Sequence, residues 1–60
     1  MEELLELQSR LVASRGVWKK RQAEAMKGGD KDGLNLAKGV IHGLTVAIRE
    51  IGILLKVELA

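Results

Sequence analysis

A chain of sixty residues with ten basic and eight acidic side chains, net charge +2 and no cysteine holds one small domain at most, and it excludes disulfides and thiolate metal sites. Its single histidine, His42, excludes a histidine-rich metal site within one chain, and the lack of proline with abundant Leu, Ala, Glu, Lys and Arg marks a helix-forming composition. A chain of this size buries only about 60% of its unfolded surface, so a lone core is marginal and oligomerisation is the remaining route to stability.

The first seven residues carry three glutamates and no basic segment, which argues against a signal peptide. Lys38, Arg49, Glu50 and Lys56 interrupt every apolar run in the second half, so no membrane-spanning helix is expected. Together with the absence of cysteine, this points to a cytoplasmic protein.

The first element reads as a helix over residues 2–26. Glu2, Glu3 and Glu6 complement the positive end of its dipole, and Lys27 the negative end. One apolar stripe is Leu4, Leu7, Leu11, Trp18 and Ala25, interrupted by Ser14; a second is Leu5, Val12 and Ala23. Between them runs a polar ridge of Gln8, Arg15, Lys19 and Gln22. Gly16 costs about 1 kcal/mol relative to alanine in a helix interior and permits a local kink.

A turn follows over residues 27–33. Gly28 and Gly29 suit the left-handed conformation that ends a helix, and Asp30 or Asp32 is a natural N-cap for the next one. A connection this short makes the two helices antiparallel neighbours. Asp30-Lys31-Asp32-Gly33 has the look of a calcium loop, but the twelfth position is Ile41 instead of glutamate, so calcium is rejected.

The second helix, over residues 34–58, has a heptad seam of Leu34, Ala37, Ile41, Leu44, Ile48, Ile51 and Leu55. Beside it lies a second apolar surface of Leu36, Val40, Val46, Ala47, Ile53, Leu54 and Val57, on which Glu50 is alone. Asn35, Lys38, His42, Thr45, Arg49 and Lys56 form one polar strip. A two-helix chain covers one side of such a helix, so the remaining apolar surface calls for a partner.

The fold class that results is all-α, an antiparallel helical hairpin whose surplus apolar surface predicts a homo-oligomer, with a dimeric four-helix bundle as the simplest closure. The expected self-association residues are Leu36, Gly39, Val40, Gly43, Ala47 and Leu54, because Gly39, Gly43 and Ala47 make a flat groove at four-residue spacing. Pairing residues whose numbers total about 61 sets Leu7 against Leu54 and seats Trp18 over Gly43. Arg15 and Glu50, each among apolar residues at nearby heights, are expected to pair.

No phosphate loop, nucleophile elbow or zinc spacing is present, and no carboxylate shares the face of His42, so the chain reads as a non-enzymatic binding protein without cofactor or metal. Its expected role is that of an adaptor, inhibitor or assembly factor with a protein partner, in the style of phage and mobile-element accessory proteins. An alternative is sequestration of a phosphate-bearing small ligand by Lys38, His42 and Arg49 brought together across subunits. Nucleic-acid binding ranks last. Arg10, Arg15, Lys19, Lys20, Arg21 and Lys27 spread around the first helix, Glu6 and Glu24 pair with Arg10 and Lys20, and no aromatics interleave them.

With Leu34, Ile41, Ile48 and Leu55 as core seam, the layout resembles that of the plasmid-encoded Rop-type RNA-binding proteins, helical hairpins that dimerise into four-helix bundles. The resemblance implies that architecture. Rop-like RNA binding is a further alternative, but the Rop-type RNA surface is a basic face with a key aromatic, and Trp18 reads as core here. Neither that activity nor its site residues carry over.

Overall fold

The computed structural model describes residues 2–59, with side chains through Val57. Two helices account for nearly all of them: α1 (Glu2–Gly28) and α2 (Lys31–Leu59), packed against each other as an antiparallel hairpin. At 1.5 Å per residue they run about 40 and 43 Å, and the hairpin is a rod of 46 × 14 × 11 Å. α1 passes through Gly16 without interruption.

The turn is shorter than the span 27–33 because one residue serves both helices. Gly29, at φ 71°, is the left-handed residue that ends α1. Its N–H donates to the Met26 carbonyl at 3.4 Å, and the Asp30 N–H donates to the Ala25 carbonyl at 2.9 Å, the paired bonds of a Schellman motif. Asp30 then starts α2. Its Oδ1 accepts from the Gly33 N–H at 2.9 Å, and its carbonyl accepts from the Leu34 N–H at 2.9 Å. Asp30 is therefore the cap, and Asp32 lies within the first turn of α2. A Cβ at Gly33 would run into the capping carboxylate, which explains a glycine inside this turn.

On α2 the heptad seam faces α1. Ala37, Ile51 and Leu55 are buried, and Leu34, Ile41, Leu44 and Ile48 are half-buried. On α1 the inward seam differs from either apolar stripe. It is Leu4, Gln8, Leu11, Arg15, Trp18, Gln22 and Ala25, all half-buried, and no described residue of α1 is fully buried. The polar ridge of Gln8, Arg15 and Gln22 thus points at α2, and only Lys19 of that ridge is exposed. The ridge bisects the two apolar stripes, so turning it inward covers part of each. The long stems of Gln and Arg can pack while their tips reach solvent.

Two contacts fix the register. A Cβ at Gly52 would sit 3.6 Å from Gln8 Nε2, and Arg15 Nη1 donates to Thr45 Oγ1 at 3.4 Å. Both pairs total sixty, one less than expected from the sequence. Thr45 in turn donates to the Ile41 carbonyl at 2.8 Å. Arg15 therefore pairs with Thr45 and not with Glu50, which lies on the opposite side of the hairpin. The seating of Trp18 on Gly43 is also overturned: a Cβ at Gly43 meets nothing within 4 Å. Gly43 turns outward, and Trp18 lies at the edge of the seam, half-buried, with the Arg21 guanidinium 4.6 Å from its ring centroid.

Candidate functional site

Those contacts sort the hairpin into two sides. Arg15 with Thr45 and Gln8 with Gly52 meet on one side of the seam. Trp18, Arg21 and Ala25 share a cleft with Gly33 and Leu36 on the other. At 100° per residue, every other position follows from these anchors.

The Trp18 side is apolar. α1 contributes Leu7, Leu11, Ser14, Trp18 and Ala25; α2 contributes Leu36, Val40, Gly43, Ala47 and Leu54. Leu7, Leu36 and Leu54 remain 46%, 59% and 52% exposed, and Val40 and Ala47 are only half-buried. Five of the six residues expected to mediate self-association thus share one face. Gly39 is exposed further round α2, with open space where its side chain would be. Charges occur only at the rim of this face: Glu3, Arg10, Arg21 and Glu24 from α1, and Glu50 from α2. Both signs are represented. Arg10 Nη2 meets Glu6 Oε1 at 2.7 Å, a surface pair worth about 0.3–0.5 kcal/mol. The other expected pair, Glu24 with Lys20, does not form.

The charges of the Thr45 side are nearly all of one sign, and exposed Leu5 and Val12 of α1 and Ile53 of α2 lie among them. The α2 strip of Asn35, Lys38, His42, Thr45, Arg49 and Lys56 is exposed along its whole length. Lys31 continues it toward the turn, and Arg15 and Lys19 of α1 border it. Glu2, at the far end of α1, is the one acid on this side among the described residues. Lys38, His42 and Arg49 therefore stand in a row on a convex helix surface. Two concavities lie elsewhere: one is lined by Glu3, Glu6, Leu7 and Arg10, the other is the cleft at Trp18.

No family model, curated protein or solved structure matches the chain. Its surfaces alone carry the functional reading. No helix among the described residues is long and apolar enough to cross a membrane. The sequence placed the polar strip along one side of α2, but its second apolar surface divides: Leu36, Val40, Ala47 and Leu54 join the Trp18 side, whereas Ile53 shares the bearing of Asn35, and Val46 and Val57 turn outward. It missed that Arg15 and Lys19 of α1 join the strip, because the cations of α1 surround that helix and only its docking onto α2 selects which of them share a side.

Proposed function

We propose that the chain is a non-enzymatic helical binding protein that self-assembles through its apolar face into a dimeric four-helix bundle and acts in that form as an adaptor, inhibitor or assembly factor. The observation that carries this reading is area. The hairpin exposes 4661 Å², whereas a compact globular chain of this mass exposes about 3,900 Å². The excess, roughly 800 Å², is close to what one partner contributes to a standard protein interface. Part of it lies on a face that carries Leu7, Leu36, Trp18 and Leu54 and whose rim charges are mixed in sign.

The rim suggests how two copies would lie. Arg10 and Glu50 stand at the same height, since their numbers total sixty like those of the neighbours Arg15 and Thr45. A twofold axis along the rod lays α1 of one copy on α2 of the other without changing heights. Arg10 then meets Glu50 of the partner subunit, and Val17, 51% exposed, meets the open backbone at Gly43 of the partner subunit. Each pairing occurs twice.

Leu36→Glu with Leu54→Glu tests the reading. Both positions are more than half exposed in the hairpin, so charge there costs little unless a second copy covers them. The variant should lose the dimer, with helicity that becomes weaker and independent of concentration. Unchanged mass and melting temperature would contradict the proposal.

Sequestration of a small phosphate-bearing ligand across subunits by Lys38, His42 and Arg49 competes with this arrangement. Their strip faces away from the apolar surface, so a dimer sealed on that surface leaves it outside.

A further inference from the structure

The cations of the Thr45 side call for a ligand of their own. Lys56, Arg49, Arg15, Lys19, Lys38 and Lys31 follow one another along the rod in that order, from its open end to its turn. Lys31 and Lys56 are separated by about 37 Å of helix rise. All but Arg15 are exposed; Arg15 is half-buried and held to Thr45. Asn35, His42 and Thr45 lie among them, and Glu2 is the sole acid on that side among the described residues. Of the other acids with described side chains, Glu3, Glu6, Glu24, Asp32 and Glu50 lie at the apolar rim or on the outer surface beyond it, and Asp30 in the turn. A random scatter of charges would mix the signs as they are mixed on the rim.

We infer that this side is a docking surface for an extended polyphosphate chain, the backbone of a nucleic acid, bound without reading its bases. The row is straight, convex and several turns long, so it offers no enclosure for a small ligand, and a small anion would engage only one or two of its cations. A linear array of phosphates engages most of them, each contact releasing a counterion. The side has no aromatic to stack a base, because Trp18 lies on the opposite face, so the contacts position the polymer without specifying sequence. A lipid surface fits less well. Helices that lie on a membrane bury a continuous apolar face in it, with their cations at its border, whereas the exposed apolar side chains of this side, Leu5 and Val12 on α1 and Ile53 on α2, are separated by the row of cations. The inference concerns a single hairpin and does not depend on dimerisation.

The test is fluorescence anisotropy of the full chain with a labelled 20-base-pair DNA duplex, the matching RNA duplex, and vesicles containing phosphatidylserine. Lys38→Glu with Arg49→Glu alters the row; Arg10→Glu with Arg21→Glu makes the same change of net charge on the Trp18 side. Circular dichroism checks that both variants remain helical, and Lys38→Gln with Arg49→Gln replaces the first variant if it does not. At least one duplex should bind at 50 mM salt, about 100-fold or more weaker at 200 mM. The row variant should lose about tenfold or more and lower the salt slope by about two, with a much smaller loss for the variant on the Trp18 side. The tighter duplex identifies the source of the phosphates. Binding of neither duplex, binding of vesicles alone, or equal losses in the two variants would overturn the inference.

Discussion

At the scale of single residues, Asp30 is the position on which both helices depend. It closes α1 through its N–H and opens α2 through its side chain and carbonyl. Asp30→Ala should lower stability by about 1 kcal/mol, as loss of an N-cap generally does, read as a lower denaturation midpoint. Asp30→Asn should lose much less. The outward glycines give a sharper contrast. A side chain at Gly16 or Gly43 meets nothing within the hairpin, so alanine at either site should strengthen its helix by about 1 kcal/mol. Gly16 lies away from the apolar face, and Gly16→Ala should raise the melting temperature at every concentration. Gly43 lies on that face. Gly43→Ala should stabilise the isolated hairpin yet weaken association, so that melting depends differently on concentration from the parent. Identical behaviour of the two variants would show that the backbone at Gly43 is not approached closely.

At the scale of the helices, legibility followed amphipathicity. The inward seam of α2 was read correctly because its apolar residues repeat with one heptad phase. α1 was not, because its two apolar stripes are of similar weight and the sequence does not say which turns inward. The fold uses the polar line between them. Gln8 and Gln22 consequently occupy half-buried seam positions, where a leucine would bury apolar surface against α2. Gln22→Leu should therefore raise hairpin stability by roughly 1 kcal/mol, measured by chemical denaturation; a loss would mean that the glutamine tip makes contacts beyond this hairpin. The misplaced partner of Trp18 has the same origin. Matching heights along the rod identifies neighbours only when the facing sides are known, and Gly43 and Trp18 are at similar heights on different bearings. The turn was legible in kind, since Gly29 and Asp30 were both named. Its length was not, because a single aspartate can end one helix and begin the next.

For the whole molecule the governing fact is that three side chains, Ala37, Ile51 and Leu55, make up the buried core of the described residues. A rod with a radius of gyration of 14.0 Å, against about 10 Å for a compact chain of this length, leaves most of its apolar surface unburied. The two sides of the rod differ in the remedy they suggest: one is apolar with a rim of mixed charge, and the charges of the other are nearly all positive. The rim predicts a charge-reversal result. Arg10→Glu or Glu50→Arg alone should weaken association by about fivefold, the scale of the two exposed ion pairs it removes from the dimer, and the two together should restore it. Singles without effect would reject the twofold axis along the rod while leaving self-assembly standing. The most direct test of the central claim is the mass of the chain by light scattering over a dilution series. The account predicts twice the 6.6 kDa chain mass across the micromolar range, with dissociation and loss of helicity together on dilution. A fully helical monomer that keeps its melting temperature at every concentration would contradict it.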